Sequence, residues 1–199
     1  MKRMTRLVQG FTVLETERAV TTQRLARQDE HGFSVVELVI SVLILLILSA
    51  IALPSLAETL RSYRLAGDAR ALASQLSLAK MRAAAEFSQS QLSFNFANGT
   101  YQLQVFDKGA NAFVTEGGAV QYLSSGVTFG FGAITTPAGT QPAPITDTPQ
   151  IVLNSRGIPV NGGTDAIYLS NNGRTCAVTV SASGQISAWR YTGAVWQRL

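Results

Sequence analysis

Residues 31–54 read HGFSVVELVISVLILLILSAIALP, and this stretch decides how the rest of the chain is organised. Its greater part, Leu38–Leu53, is a run of sixteen residues without a charge. Counted from Phe33, twenty-one residues precede Pro54, close to the roughly 20 that a helix needs to cross the hydrocarbon core of a membrane. The stretch therefore predicts either a membrane-spanning helix or a cleaved signal sequence.

Two ways of processing this stretch are open. Ala50-Ile51-Ala52 ends the apolar run with the small-residue pattern that ordinary signal peptidase cuts, which would release a soluble protein beginning at Leu53. Glu37 argues against that interpretation, because an unpaired charge in a membrane helix costs about 2.5–3.5 kcal/mol and a plain signal peptide has no use for it. A carboxylate within the membrane is by default functional, so Glu37 predicts a cationic partner.

A second copy of the same short motif lies nearer the N-terminus. Residues 10–15 read GFTVLE and residues 32–37 read GFSVVE, both of the form Gly-Phe-Ser/Thr-x-x-Glu. The first copy is followed at residues 16–18 by Thr-Glu-Arg, whose charges cannot enter lipid, whereas the second is followed by the apolar run. A peptidase that works at the membrane face is therefore expected to cut after Gly32 and not after Gly10.

The second copy, the apolar run behind it and Pro54 together resemble the class III signal of type IV prepilins and of the pseudopilins of type II secretion. In that family a prepilin peptidase in the membrane cuts after the glycine and methylates the new N-terminal phenylalanine. The resemblance implies that residues 1–32 are a leader peptide, that cleavage falls between Gly32 and Phe33, and that Phe33 is N-methylated.

The same resemblance implies how the mature chain assembles. The glutamate of the motif, here Glu37, is thought to pair with the N-terminal ammonium of a neighbouring subunit, which would supply the missing cation. Residues 33–54 would form the transmembrane and filament-core helix, and residues 55–199 an extracytoplasmic globular domain. Basic residues flank the apolar run equally, so a single-pass topology in the bacterial inner membrane, with the C-terminal domain in the periplasm or outside, follows from the resemblance alone.

The helix is expected to continue past Pro54, which would kink it. Six aliphatic or small residues then form one apolar stripe on a helix that reaches to about Phe87: Leu65, Ala69, Leu72, Leu76, Ala79 and Ala83. Polar residues on the opposite face are spaced to form i,i+4 pairs: Arg64, Asp68, Gln75, Arg82 and Glu86. One half of a long helix is thus predicted to lie in the membrane or filament core, and the amphipathic half to pack on a sheet.

Alternating apolar and polar residues predict seven or so antiparallel strands after the helix. Asn98-Gly99 is the strongest hairpin signal and joins two alternating runs, residues 92–96 and 101–105. Further strands are expected at residues 120–123, 127–131, 151–153, 166–170, 175–180 and 185–189. Residues 135–150 carry four prolines and predict a loop. One long N-terminal helix packed on an antiparallel β-sheet domain is an α+β fold.

The second half of the chain resembles the GspH/FimT branch of the pilin-like proteins. The resemblance lies in residues 69–94, ARALASQLSLAKMRAAAEFSQSQLSF, in residues 151–160, IVLNSRGIPV, and in residues 166–190, AIYLSNNGRTCAVTVSASGQISAWR. It implies a non-catalytic minor pilin or minor pseudopilin that assembles into the pseudopilus of type II secretion or a type IV pilus. The implied partners are the prepilin peptidase, other pilins or pseudopilins and, before assembly, inner-membrane lipid.

DNA binding is an alternative function, because some FimT-like minor pilins resemble DNA receptors that bind through a Gly-Arg-x-Arg turn in the last hairpin. The equivalent turn here, residues 184–187, reads Gly-Gln-Ile-Ser and lacks both arginines. Weak contacts with nucleic acid could come from four other arginines: Arg156, Arg174, Arg190 and Arg198. Bases could stack on three aromatic residues, which more often pack on a sheet: Trp189, Tyr191 and Trp196. So few cations predict weak, salt-sensitive binding, and DNA is the less favoured partner.

Composition argues against several classes of site. At 199 residues, of which 46% are hydrophobic, the chain has the composition of a folded protein with one ordinary domain and a membrane segment. Cys176 is its one cysteine and His31 its one histidine, so an internal disulfide and a Cys/His metal site are not expected. A Ser-His-Asp catalytic triad is not expected either, because the chain has no histidine besides His31. The sequence predicts no catalytic residue, no metal, no cofactor and no enzyme activity.

Overall fold

The protein combines one long helix with antiparallel strands in a computed structural model that describes residues 33–116 and 120–199. It divides into two compact units with the boundary between Ala52 and Leu53. Helix α1 runs Val35–Ala85. The strands in the described part of the chain are β1 (Ser90–Asn95), β2 (Thr100–Asp107), β3 (Ala112–Thr115), β4 (Gln121–Tyr122), β5 (Thr128–Phe129), β6 (Gln150–Leu153), β7 (Asp165–Asn171), β8 (Arg174–Val180), β9 (Ile186–Tyr191) and β10 (Trp196–Arg198). The predicted α+β class is confirmed.

Helix α1 begins just after the motif phenylalanine. Its first backbone hydrogen bond runs from Leu38 N to Ser34 O at 3.0 Å. Glu37 lies in the first turn, where the positive end of the helix dipole favours a carboxylate. Pro54 lies inside the helix, which continues to Ala85. The prediction that the helix does not stop at the proline is therefore confirmed.

A left-handed residue ends the helix. Phe87 has a φ of 46°, and Ser88 N donates back to Ala83 O at 3.1 Å. Phe87 N also donates to Ala84 O, at 3.3 Å, so the pair of bonds forms a Schellman motif. This motif satisfies carbonyl groups that the last turn of a helix leaves unpaired. It stops the helix at Ala85, close to the predicted end at about Phe87.

Sheet 1 contains β3, β2, β1 and β6 in that order, and β4 also pairs with β2. The register of β1 and β2 places Leu92 opposite Leu103 and Phe94 opposite Tyr101. These four side chains are buried on one face of the sheet. Gly99 in the connecting turn has a φ of 62°, a value that glycine adopts without strain. The hairpin predicted between these strands is confirmed.

Sheet 2 contains β10, β9, β8, β7 and β5 in that order, with antiparallel pairing throughout. β7 and β8 pair along their whole length, from Asp165 opposite Val180 to Asn171 opposite Arg174. The turn between them has two successive positive φ values, 48° at Asn172 and 79° at Gly173, as tight hairpin turns require. The strands predicted at residues 166–170 and 175–180 are therefore confirmed.

One hydrophobic core joins the second half of helix α1 to both sheets. All six residues of the predicted apolar stripe are buried: Leu65, Ala69, Leu72, Leu76, Ala79 and Ala83. All of them except Ala83 belong to the same cluster as Leu92 and Ile151 of sheet 1 and Ile167 and Val178 of sheet 2. Burying one such large aliphatic side chain contributes about 1.5–3 kcal/mol. The predicted packing of this half of the helix is confirmed.

An irregular loop, residues 130–149, covers the face of sheet 2 that is turned away from the helix. These residues are all described and contain neither helix nor strand, in agreement with the predicted loop. Ala138 N donates to the Tyr168 hydroxyl at 3.0 Å, and Tyr168 N donates to Asp147 Oδ1 at 2.8 Å. Trp196 packs beside Tyr168, with ring centroids 5.8 Å apart. β7 and β8 are consequently buried on both faces, which explains why the runs 166–169 and 176–178 are apolar without alternation.

The strand predictions were wrong in three respects. β3 and β10 were not predicted, because each is short, half exposed and without clear alternation. The strands form two sheets and not one, since local alternation does not tell a strand which partners it pairs with. Phe96 lies beyond the end of β1 and packs against Phe129, with ring centroids 5.5 Å apart.

The prediction of i,i+4 pairs on the polar face of the helix was also wrong for the charged residues. Arg82 Nε instead lies 2.9 Å from Glu116 Oε1. Asp68 accepts hydrogen bonds from Ser124 N at 2.9 Å and from Ser124 Oγ at 2.8 Å. Fixed backbone donors next to the helix hold a carboxylate better than a second long, solvated side chain on the helix does.

Candidate functional site

The motif residues lie at the beginning of helix α1. Gly32 and the rest of the predicted leader, residues 1–32, lie outside the described residues. The Phe33 side chain is 77% exposed and precedes the first turn of the helix. Glu37 follows in that first turn and is also exposed. The two residues that the motif predicts for methylation and assembly are thus both accessible at one end of a helix.

The helix carries apolar side chains on all sides through residues 35–53. Every residue in this range is exposed, and the exposed fraction of its large apolar side chains runs from 46% at Val42 to 78% at Val35. A helix that is apolar all round is typical of a membrane span or a buried bundle. In the described part of the chain, α1 is the one helix long and apolar enough by length and composition to cross a membrane.

The polar groups of this segment are satisfied within the helix except at Glu37. The hydroxyl of Ser41 donates to Glu37 O and that of Ser49 to Leu45 O, both at 2.7 Å. Such bonds satisfy the hydroxyl donor within its own helix, so that it needs no other partner in an apolar environment. Among residues 35–53, the Glu37 carboxylate is therefore the polar side chain that still needs a partner.

Pro54 follows the apolar segment without ending the helix. Proline has no N–H, so the carbonyl of Ala50 loses its usual partner four residues on. Thr59 continues the pattern of hydroxyls bonded to their own helix, donating to Ser55 O at 2.9 Å. The kink at Pro54 remains a prediction.

A cleft of about 540 Å³ in the second unit gathers most of the basic residues that the sequence singled out. It lies between helix residues 55–70 and sheet 2, and we call it the arginine groove after Arg70, Arg174 and Arg190 on its walls. Glu58 also borders the groove, and its Oε1 lies 2.8 Å from Arg174 Nη2. Arg70 and Glu58 were not predicted to lie here, because nothing in their local sequence connects them with residues a hundred positions away.

Two guanidinium groups of the groove act on one buried atom. Arg190 lies opposite Cys176 in the pairing of β9 with β8. Burial raises the pKa of the Cys176 thiol to about 11, while the charges of Arg190 and Arg70 oppose that shift. Within residues 33–116 and 120–199, neither of these arginine side chains forms an ion pair or a hydrogen bond. Arg70 and Arg190 therefore present guanidinium groups to the groove that have no ion-pair partner in the described part of the chain.

The other two arginines of the DNA hypothesis do not extend this charge. Arg198 borders the groove, but its guanidinium lies 5.3 Å from the centre of the Trp189 ring and donates to Ser187 Oγ at 3.1 Å. Arg156 lies apart from the groove, in the turn after β6. The structure brings together three of the four predicted arginines, with the third turned onto an aromatic ring.

The aromatic residues proposed for base stacking form hydrogen bonds and packing contacts within the protein. Trp189 Nε1 donates to Thr179 Oγ1 and Trp196 Nε1 donates to Thr136 O, both at 2.9 Å. Tyr191 packs beside Trp196 with ring centroids 5.1 Å apart. These contacts agree with sheet packing, which the sequence analysis gave as their more common role.

Gly184 lies in the turn before β9 and contacts helix α1, whereas Ile186 and Ser187 belong to the strand. Lys80 Nζ donates to Gly184 O at 3.0 Å. Gly184 is buried with a φ of 77°, and a Cβ there would collide with the carbonyl oxygen of Gly157. A glycine is therefore required at this position by close packing of two turns and the Lys80 side chain.

A family comparison identifies the N-terminal segment. Residues 27–53 match the family described as the prokaryotic N-terminal methylation motif. The matched range contains Gly32, Phe33 and Glu37, and the first copy of the short motif at residues 10–15 lies outside it. The resemblance of the second copy to a prepilin-type methylation signal is confirmed. No curated protein matches the chain in sequence.

The chain is also similar to solved structures, among them a minor pseudopilin and a type IV minor pilin. The minor pseudopilin EpsH from the type 2 secretion system of Vibrio cholerae is 13% identical, with 63% of this chain and 95% of that chain covered and a TM-score of 0.47. The type IV minor pilin FimU of Pseudomonas aeruginosa PAO1 is 12% identical, with 68% and 94% covered and a TM-score of 0.48. Neither likeness is close enough to assign a function to this chain. The fold is established by the helix and sheets of this chain itself.

Proposed function

We propose that the chain is a non-catalytic pilin-like subunit, a minor pseudopilin or minor pilin of the GspH/FimT kind. It is made with a leader, residues 1–32, which a prepilin peptidase removes before it methylates Phe33. The mature chain is held in the bacterial inner membrane by residues 33–54, with residues 55–199 in the periplasm or outside. It then joins other pilins or pseudopilins in a type II secretion pseudopilus or a type IV pilus.

The observation that carries this proposal is the match to the methylation motif on a helix that is apolar on all sides. A helix of this kind needs either lipid or other helices around it. Glu37 is the one carboxylate among residues 35–53 and lies four residues after Phe33. In a bundle of such helices the new ammonium group of one Phe33 supplies the cation that the Glu37 of a neighbour requires.

The mature N-terminus tests the proposal directly. The chain is expressed with and without a prepilin peptidase, and its N-terminal peptide is identified by mass spectrometry. We expect a mature chain that begins at Phe33 and carries one added methyl group, and only when the peptidase is present. Gly32→Ala is expected to block this cleavage, because the peptidase recognises the residue before the cut bond.

Gly10→Ala is the matched control, since it makes the same change in the first copy of the motif and is expected to leave processing unaltered. A mature chain that begins at Phe11 would contradict the choice between the two copies. One that begins at Leu53 would instead support a secreted soluble protein cleaved after Ala52 and would overturn the proposed function.

A further inference from the structure

The face of sheet 1 that is turned away from helix α1 carries polar side chains without charge. In β1 and β2, the residues that alternate with the buried ones are amides and hydroxyls. They form three cross-strand pairs: Gln91 with Gln104, Ser93 with Gln102, and Asn95 with Thr100. These six side chains offer neither the charges that bind an ion nor the apolar centre that is typical of a protein–protein interface.

A cleft of about 480 Å³ opens on this part of the sheet. We call it the amide cleft after Asn95, Asn98 and Gln102, which line it together with Ser93 and Thr100. In contrast to the arginine groove, the described residues that line the amide cleft include no charged side chain. The volume is that of a site for a small ligand, and the uncharged lining favours a neutral one.

The amide groups of the cleft are available to a ligand. Asn98 N donates to Asn95 Oδ1 at 3.1 Å, which fixes the Asn95 side chain and leaves its NH₂ group to donate. Among the described residues, the side chains of Gln102 and Asn98 have no hydrogen-bond partner. A carboxamide presents an acceptor oxygen beside a donor NH₂ group, and a hydroxyl is both donor and acceptor. Neighbouring hydroxyls on one sugar ring can therefore bond to both ends of the same amide.

An exposed aromatic ring stands at one edge of the cleft. Tyr122 lies opposite Thr100 in the pairing of β4 with β2, so the two residues share a face of the sheet. Its side chain is 74% exposed. Asn95 lies on the other side of Thr100, two strand spacings or about 10 Å from Tyr122. An apolar ring beside amide groups matches a sugar, which has C–H groups on its faces and hydroxyls around its edge.

We propose that the amide cleft binds a neutral carbohydrate. The ring of Tyr122 stacks on the C–H face of one sugar, and the amides of Gln102 and Asn98 exchange hydrogen bonds with its hydroxyls. An anionic sugar is disfavoured, because the cleft has no cation to replace the water around a carboxylate. This site goes beyond the proposed function and requires neither membrane anchorage nor assembly.

The test titrates the full chain with two neutral oligosaccharides, cellotetraose and chitotetraose, by calorimetry in a detergent without a sugar headgroup. Binding of either is the expected result, and the tighter of the two shows whether the cleft prefers plain or N-acetylated sugars. Tyr122→Ala is expected to weaken binding about fivefold or more, whereas Tyr122→Phe keeps the ring and should stay within about twofold of the wild type. Gln102→Leu is expected to weaken it about three- to tenfold, because hydrogen bonds to the sugar are lost.

Tyr63→Ala and Gln197→Leu are the matched controls, because they change an exposed tyrosine and an exposed strand amide outside the cleft. Both are expected to leave binding unaltered. Equal losses in these controls, or no binding of either oligosaccharide at millimolar concentration, would overturn the proposal. Tetragalacturonate carries a carboxylate on each sugar. If it binds as tightly as the neutral probes with the same dependence on Tyr122, the cleft does not select a neutral ligand and the proposal is wrong.

The outcome is separable from that of the proposed function. A chain that is methylated at Phe33 but binds neither oligosaccharide contradicts only the carbohydrate site. Circular dichroism of each variant shows whether the fold is retained, which is expected for the Tyr122 variants because that side chain is exposed. The comparison of Tyr122→Ala with Tyr122→Phe keeps the test decisive even if Gln102→Leu does not fold.

Discussion

If the chain assembles as proposed, Glu37 has opposite effects on it before and after assembly. In lipid, a charged carboxylate costs about 2.5–3.5 kcal/mol, and the helix offers it no partner. In a bundle it can pair with the N-terminal ammonium of a neighbouring helix, where each charge relieves the burial of the other. In the proposed filament, such a residue would favour the assembled state over the single chain.

Replacing Glu37 with Gln is therefore expected to leave processing intact and to impair assembly. The ammonium of the neighbouring subunit would lose its partner, and breaking a buried ion pair in this way costs about 3–5 kcal/mol. We expect methylation of Phe33 as in the wild type and at least a tenfold smaller fraction of the chain in sheared filaments, measured by immunoblot.

Ser41→Ala is the control for this prediction, because its hydroxyl bonds only to the carbonyl of Glu37 in its own helix. It is expected to assemble normally. Normal assembly of Glu37→Gln would show that the ion pair is not required.

In helix α1, the buried face was predicted correctly from the sequence, but the partners of the charged residues were not. The buried stripe from Leu65 to Ala83 was predicted correctly because helical period and burial are both local consequences of the sequence. The partners of Asp68 and Arg82 were not, because they come from loops and strands that fold against the helix. A charged residue on a helix takes the best donor or acceptor that tertiary structure brings near, whatever lies four residues away.

The loop over sheet 2 contains a carboxyl group that makes this element sensitive to pH. Burial raises the pKa of Asp147 to about 6, although the hydrogen bond from Tyr168 N opposes the shift. In an unfolded chain an Asp has a pKa of about 3.9, so between these values the folded state binds more protons. The stabilising contribution of the group is thus fully present below about pH 4 and is lost as the pH rises through about 6.

Asp147→Asn is expected to remove this dependence, because Asn keeps an oxygen that accepts from Tyr168 N and carries no charge. We expect its midpoint of thermal unfolding to lie about 2–4 °C above that of the wild type at neutral pH, and the difference to shrink at about pH 4.5. The measurement is near-ultraviolet circular dichroism of the full chain in neutral detergent. Burial also raises the pKa of Asp165, so only the difference between the two proteins reports on Asp147.

Asp107→Asn changes an exposed carboxyl and serves as its control. It is expected to leave the wild-type dependence on pH in place. A midpoint difference between Asp147→Asn and the wild type that does not change with pH would contradict the assignment.

At the scale of the whole molecule, burial is confined to the second unit. All buried hydrophobic residues in the described part of the chain lie at or after Leu65, and residues 33–53 are exposed throughout. The core therefore loses no side chain when the first unit is removed. This division fits the proposal that the first unit is surrounded by lipid or other helices and that the second unit is surrounded by water.

A fragment that begins at Leu53 is consequently expected to fold on its own. It should be soluble without detergent and unfold in one cooperative thermal transition, seen by near-ultraviolet circular dichroism. A shorter fragment that begins at Ala73 removes Leu65, Ala69 and Leu72 from the core. It is expected to lose the transition, since a buried leucine alone is worth about 2–5 kcal/mol when it is truncated. Failure of the longer fragment to fold would show that the first unit is needed for the core.

The sequence by itself determined the plan of this protein. The motif at residues 32–37, the apolar run behind it, the buried stripe on the helix and the Gly99 hairpin were all predictable, because each depends on neighbours in the chain. Only the tertiary structure decided how the strands divide into two sheets and that an arginine groove exists. Glu58 and Arg174 meet across a separation of 116 positions, and contacts at such distances depend on how folded elements pack, which no local pattern specifies.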